Sequence, residues 1–199
     1  MNSPVLSPGA ADALLFDLGR VVLDIDFKKT LACWADHADC DPAHLAGRFT
    51  SRDETYQRHE RGEISEAEFF AALRGLLGIG ISDAQFLEGW NAIFAGEMPG
   101  IAPLLQRAAR HLPLYAFSNT NGAHVEHFRE VFLSSSIGLR KPDGEAYDHV
   151  VKAIGVPAER IVFFDDLAEN IEGARARGLI AVRVRSPDDV AEALAALGI

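Results

Sequence analysis

A chain of 199 residues, 48% of them apolar, can bury one good core and a small second one, which excludes a disordered polymer. Nineteen Lys and Arg against 29 Asp and Glu leave a net charge of −10, and no Lys/Arg run offsets it, so neither nucleic acid nor a membrane is an expected partner. Cys33 and Cys40, the two cysteines, read as reduced structural thiols rather than as a disulfide or a metal site.

Residues 1 to 9, with Pro4, Pro8 and Gly9, read as a loose lead-in. They carry neither the positive region nor the long apolar stretch of a signal peptide or membrane span, so the expected location is cytoplasmic. Leu14-Leu15-Phe16 reads as the end of a buried strand, with Asp17 at its carboxyl end and Gly19 in the turn that follows. Val21 to Asp26 alternates enough to predict a short hairpin or flap, in which Asp24 and Asp26 read as solvated turn carboxylates.

From Phe27 to about Gly100 the pattern predicts helices throughout. Ser65-Glu66-Ala67-Glu68 is a capping box, behind which Phe69, Phe70, Leu73, Leu76 and Leu77 fall on one face before Gly78. Ser82-Asp83-Ala84-Gln85 repeats the signature ahead of Phe86, Leu87, Trp90 and Phe94. The expectation is an all-helical insertion, residues 27–100, within an α/β core made of residues 1–26 and 101–199.

Ile101, Leu104, Leu105, Ala108 and Ala109 form the stripe of a helix that covers a sheet. A strand then ends at Phe117 and runs into Ser118-Asn119-Thr120-Asn121-Gly122. A helix from about Ala123 to Val131, a short strand at Phe132-Leu133, the serines 134 to 136 and the Arg140-Lys141-Pro142 loop follow. Asp143 is a plausible N-cap for a helix that Gly155 ends, Ile161 to Phe164 is the next strand, and Asp165-Asp166 closes it. A helix from Ala168 to Arg177, a strand from Ile180 to Val184 and a helix from Pro187 complete the βα alternation. Short, non-alternating apolar runs followed by helices predict a Rossmann-like open parallel sheet covered on both faces. The carboxyl ends of such strands share one edge, so Asp17, Ser118 and Asp165-Asp166 should converge.

Alone, each of these residues has an ordinary explanation: Asp17 a turn former, Ser118 to Gly122 a turn, Lys141 before a proline a solvated cation. In order, however, Asp17, Ser118-Asn119-Thr120, Lys141-Pro142 and Asp165-Asp166 resemble the four motifs of the haloacid dehalogenase (HAD) superfamily, across residues 17 to 170. More locally, Phe16-Asp17-Leu18-Gly19, His59-Glu60-Arg61-Gly62-Glu63-Ile64-Ser65, Gly138-Leu139-Arg140-Lys141-Pro142 and Phe163-Phe164-Asp165-Asp166 with Asn170-Ile171-Glu172-Gly173-Ala174 are similar to the bacterial α-D-glucose-1-phosphate phosphatase branch.

The resemblance implies a HAD-like core whose helical insertion caps the active site. It implies Asp17 as the nucleophile that forms an aspartyl-phosphate, and Lys141 as the cation that offsets charge around it. It implies Mg²⁺ held by Asp17, the backbone carbonyl of Gly19 and Asp166, with Asp165 and Asn170 beside it; hard oxygen donors suit that ion. Ser118 and the amides of Asn119 and Thr120 would then bind the phosphoryl oxygens, with His59 and Glu60 reaching the substrate from the cap.

Gly19 departs from the pattern, because phosphatases of this superfamily usually carry a second Asp there to protonate the leaving oxygen. General acid–base assistance is worth roughly 10²- to 10⁴-fold. A better leaving group, such as the anomeric oxygen of a sugar 1-phosphate or an acyl phosphate, would relieve that need, as would His59 or Glu60 acting in its place. The implied activity is Mg²⁺-dependent hydrolysis of a small phosphorylated metabolite, a sugar phosphate. The alternatives are a 2-haloacid dehalogenase, whose halide leaves unprotonated, and a catalytically weak phosphate-binding module.

Overall fold

A computed structural model describes residues 6–48, 53–119 and 127–199 of the chain. Two compact units result: one from Met1–Leu23 and Glu97–Ile199, the other from Asp24–Gly96.

The first unit is built on β1 (Ala13–Phe16), from which a tight turn leads into β2 (Leu23–Ile25). The second holds α1 (Phe27–His37), α2 (Pro42–Ala46), α3 (Glu54–Glu60), α4 (Glu66–Leu77) and α5 (Asp83–Asn91) before β3 (Phe94–Glu97). The chain then adds α6 (Ile101–Ala109), β4 (Leu114–Ser118), β5 (Glu130–Leu133), α7 (Ser134–Ile137), α8 (Gly144–Ile154), β6 (Ile161–Asp165), α9 (Ala168–Ala176), β7 (Ile180–Arg183) and α10 (Pro187–Ala196).

In the first unit, β5-β4-β1-β6-β7 form one sheet whose neighbours are all parallel. This is the α/β, Rossmann-like core that the βα alternation predicts. Every residue of β1, β4 and β6 is buried, as their unbroken apolar runs require in a sheet covered on both faces. On one face Leu15, Phe117 and Phe163 pack with Tyr147, Val150 and Ile154 of α8 and Ile171 of α9. Phe16 and Phe164, paired across β1 and β6, stack with ring centroids 4.6 Å apart.

The second unit closes around Trp34, Phe69, Phe70, Leu73, Leu77 and Phe86. Both expected capping boxes are present, Ser65 with Glu68 and Ser82 with Gln85, and Gly78 ends α4 at φ 70°. One member of the α4 stripe is misassigned: Leu76 lies 44% exposed, on the edge of the face that Phe69, Leu73 and Leu77 bury.

Three further expectations change. Helix α5 stops at Asn91, and Phe94–Glu97 forms a strand paired with β2, so residues 27–100 are not wholly helical. Phe94 sits four residues after Trp90, a helical spacing, and only a partner far back in the sequence turns this segment into a strand; the flap of Leu23–Ile25 is one half of that ribbon. The expected helix from Ala123 to Val131 lies partly outside the described residues, and its end is instead the start of β5, at Glu130. Ser134 to Ser136 begin the one-turn helix α7. Asp26 proves to be the N-cap of α1, its carboxylate accepting from Lys28 N–H at 2.9 Å.

No helix among the described residues is long and apolar enough to cross a membrane.

Candidate active site

Strand register sets the site. Phe16 pairs with Ala116 of β4 and with Phe164 of β6, so the next residue, Asp17, stands level with Phe117 on one side and Asp165 on the other. Its amide donates to the Phe164 carbonyl at 2.8 Å, which holds the first residue beyond β1 in line with the strand. Immediately after, the chain reverses: the amides of Val22 and Leu23 donate to the Leu18 carbonyl at 2.9 and 2.7 Å. The left-handed residue of this turn is Arg20, at φ 61°. A non-glycine residue in that region stores strain that the surrounding bonds must hold, and such strain clusters at functional sites.

Lys141 reaches this edge from the loop before α8. Its ammonium donates to Asp17 Oδ1 at 2.6 Å, to Asp165 Oδ2 at 2.8 Å and to the Phe117 carbonyl at 2.8 Å. The rings of Phe117 and Phe163 flank it with centroids 5.2 and 5.3 Å away. Lysine is almost never so fully enclosed unless paired, and here it is 1% exposed. Burial opposes its charge, but the facing Asp165 and Asp17 carboxylates prevail and raise its pKa.

What aims Lys141 is its own backbone. The Asn119 side chain accepts from Lys141 N–H and donates to the Lys141 carbonyl, both at 3.1 Å, a two-point clamp between the end of β4 and the loop. Behind the loop, Gly173 of α9 lets the helix press against Pro142: a Cβ there would lie 2.7 Å from the Pro142 carbonyl oxygen and 3.0 Å from the Tyr147 ring. The Lys141–Pro142 peptide is cis. Tyr147 in turn donates its hydroxyl hydrogen to the Asn170 carbonyl at 2.8 Å.

The two adjacent acids divide their duties. Asp165 is fully buried, and both of its oxygens are engaged: Lys141 on one, the Leu167 amide on the other at 2.9 Å, and Asn170 Nδ2 on each at 3.0 Å. Asp166 is less enclosed and meets Arg20 at 3.8 Å. The acid pair therefore does have basic neighbours, Lys141 and Arg20, that are distant or unremarkable in sequence.

Charge is still in excess. Among the described residues, three carboxylates, Asp17, Asp165 and Asp166, face one buried ammonium and one exposed guanidinium. Burial pushes the Asp17 carboxyl up to about 7 even though Lys141 pulls it the other way, and burial together with Asp165 pushes Asp166 up too. That imbalance fits a cation: an oxygen-only donor set whose members resist ionising without one is what Mg²⁺ relieves.

Of the other expected residues, Ser118 is the buried last residue of β4, next to the clamp residue Asn119. Thr120 lies outside the described residues. His59 and Glu60 belong to the second unit, at the end of α3. The His59 ring stacks on Phe69 with centroids 4.1 Å apart, its Nδ1 has no hydrogen-bond partner, and burial lowers its pKa. In the same segment Arg58 and Arg61 both pair with Glu63. The Asn119 side-chain clamp is a contact the motif does not announce; its signal in the sequence is an Asn directly after the strand-terminal Ser118.

Residues 11–178 match the family described as haloacid dehalogenase-like hydrolases. A phosphatase of Mycobacterium tuberculosis is 35% identical over 149 residues, 66% of this chain and 69% of that protein. A sesquiterpene phosphatase of Aspergillus oryzae is 26% identical over 183 residues, 86% of this chain and 89% of that protein. Among solved structures, a HAD family enzyme of Bacteroides thetaiotaomicron in complex with magnesium and inorganic phosphate superimposes with a TM-score of 0.77 at 23% identity, covering 88% of this chain and 95% of that one. With the motif residues at the carboxyl edge of a parallel sheet and the match over residues 11–178, the chain belongs to the haloacid dehalogenase-like hydrolases.

Proposed function

We propose that this chain is a Mg²⁺-dependent phosphatase that hydrolyses a small phosphorylated metabolite, a sugar phosphate, through an aspartyl-phosphate on Asp17. The observation that carries this reading is the buried ammonium of Lys141 held 2.6 Å from Asp17 and 2.8 Å from Asp165 at the carboxyl edge of the sheet. A carboxylate attacking a phosphodianion needs positive charge fixed beside it in advance, and this ammonium needs no reorganisation to supply it.

In this reading an Asp17 oxygen forms a bond to phosphorus as the bond to the leaving oxygen breaks, and water then releases phosphate from the acyl phosphate, regenerating Asp17. Asp165 takes no part in the bond changes; its saturated oxygens hold Lys141. Asp17, Asp166 and the Gly19 carbonyl are the residues proposed to hold Mg²⁺, which supplies further charge neutralisation at the phosphoryl oxygens when bound. Ser118 and the amides of Asn119 and Thr120 take the phosphoryl oxygens. Asp24–Gly96 serves as the cap that sets specificity, with His59 and Glu60 reaching the substrate. The sugar phosphate follows from the resemblance of the Asp17, His59–Ser65 and Lys141 segments to the α-D-glucose-1-phosphate phosphatase branch, whose leaving group suits a site with glycine at position 19.

One observation favours a second substrate class, an isoprenoid phosphate. Tyr56, Phe69, Leu73 and Leu76, with Asp53 and Thr55, line a cavity of about 220 Å³ within the helical unit, and the relative from Aspergillus oryzae is a sesquiterpene phosphatase. A haloacid substrate is disfavoured, because its displacement uses no metal, and without a cation the excess of carboxylates would repel a carboxylate substrate.

The test is phosphate release from sugar phosphates, acyl phosphates, isoprenyl phosphates and nucleotides, in Mg²⁺ and in EDTA, with wild type beside Asp17→Asn. Release that needs both Mg²⁺ and Asp17 supports the reading, and the preferred leaving group identifies the substrate class. No release from any of them, or chloride release from 2-chloroacids that survives EDTA, overturns it.

A further inference from the structure

Helices α1 and α5 of the second unit carry a cluster that the phosphatase reading does not use. Cys33 and His37 are four residues apart on α1 and so share one face, and Glu88 of α5 lies opposite. Their sulfur, nitrogen and carboxylate oxygen all lie within 4.8 Å of one another. We propose that Cys33 Sγ, His37 Nε2 and the Glu88 carboxylate form a site for a zinc-class divalent cation, with water in the fourth place.

The frame is rigid where the ligands sit. Next to Cys33, the Trp34 indole stacks on Phe86 with centroids 4.3 Å apart and donates its N–H to the Phe86 carbonyl at 2.9 Å. Next to Glu88, Gly89 has no side chain, and a Cβ there would fall 2.3 Å from Trp34 Cδ1. The two helices therefore meet closely one residue away from each ligand, and each ligand inherits that spacing. Ligands of a tetrahedral zinc, bonded at about 2.0 to 2.3 Å, lie about 3.5 Å apart, so side-chain rotation alone closes the site.

The imidazole is already oriented. His37 Nε2 lies 3.0 Å from Glu88 Oε2, and Gln85 Nε2 lies 3.3 Å from His37 Nδ1. Gln85 cannot turn freely, because its Oε1 accepts from the Ser82 amide and hydroxyl, both at 2.9 Å, as the second half of a capping box. With the Gln85 amide donating to Nδ1, the ring proton sits on Nε2, between His37 and Glu88. That proton occupies the place of the cation. Binding moves it to Nδ1 and releases one proton, from the Cys33 thiol, as the Sγ–metal bond forms.

The donor set decides the ion. Thiolate, imidazole and carboxylate together favour zinc, cobalt or cadmium over magnesium, which prefers oxygen alone. The Glu88 carboxylate, exposed to solvent, gives the cation its way in. The arrangement also carries its own tuning residue. After binding, Nδ1–H faces an amide N–H₂, so Gln85→Glu, which keeps the capping box and presents an acceptor to Nδ1, should bind tighter.

The experiment titrates the full chain, stripped of metal, with Co²⁺ and follows the thiolate-to-cobalt charge-transfer absorption. The expected result is saturation at one equivalent, loss of the band on adding Zn²⁺ but not excess Mg²⁺, and no band in Cys33→Ser. Cys40→Ser should retain it, Glu88→Gln should weaken binding by at least about tenfold, and Gln85→Glu should strengthen it by about tenfold. No band in wild type, or a band that survives Cys33→Ser, overturns the site. So does unchanged affinity in Glu88→Gln, an exposed change that leaves the fold intact and so stands in if Cys33→Ser fails to fold.

Discussion

Lys141 Nζ lies 2.6 Å from Asp17 Oδ1 across 124 positions of sequence, and each buries its charged end against the other. The ammonium is enclosed by Phe117, Phe163 and two carboxylates, and Asp17 is only 8% exposed. Lys141→Met should therefore lose more than charge: removing one member of a buried ion pair costs about 3–5 kcal/mol because the partner charges stay behind. Urea denaturation should show that loss, smaller in the double variant Lys141→Met with Asp17→Asn, and phosphate release should fall at least about 10²-fold.

Asn119→Ala tests the clamp. The substitution leaves the Lys141 amide and carbonyl without their partners and costs about 1–3 kcal/mol. Because the Asn119 backbone amide is untouched, kcat should fall by more than KM rises. Asn119→Asp, which still accepts from the Lys141 amide but cannot donate to its carbonyl, should fall between the two; activity equal to wild type in both variants would remove the clamp from the account.

Two glycines should respond oppositely to alanine. In Gly173→Ala the new Cβ meets the Pro142 carbonyl, which is backbone and cannot swing aside, so α9 or the Lys141 loop must shift. A cost of about 1–3 kcal/mol and a lower kcat are expected. At Gly75, inside α4, a Cβ would enter open space with nothing within 4 Å, and Gly75→Ala should stabilise by about 0.5–1 kcal/mol with kcat unchanged. Thermal denaturation of both variants checks the sign.

The titration of Asp17 should be visible in stability. Burial raises its carboxyl from 3.8 to about 7, against the pull of Lys141. Between those values the folded chain keeps a proton that the unfolded chain has released, so this group's contribution to stability falls as pH rises. In EDTA, the stability of wild type relative to Asp17→Asn should decline from about pH 4 to about pH 7. Mg²⁺, which favours the ionised carboxylate, should flatten the decline, and its affinity should weaken up to about tenfold per unit below pH 7. A difference that grows with pH in EDTA would contradict the burial argument.

The local pattern carried much of this molecule. Unbroken apolar runs at Leu14–Phe16, Leu114–Phe117 and Ile161–Phe164 specify buried parallel strands, because only a sheet covered on both faces can hide both sides of a strand. From parallel strands alone it follows that Asp17, Ser118 and Asp165 share an edge. The capping boxes at Ser65 and Ser82 are local hydrogen-bonding devices and were legible for the same reason. What depended on partners far along the chain was not. Phe94–Glu97 became a strand only because β2 offered it a ladder, and the edge position of Leu76 depended on which helices came to cover α4. Asp165 and Asp166 are adjacent and chemically identical in sequence. The tertiary structure separated them by bringing Lys141, Asn170 and the Leu167 amide to one and leaving the other facing Arg20, since the partners of a side chain, and not its neighbours along the backbone, set its charge and its freedom to bind.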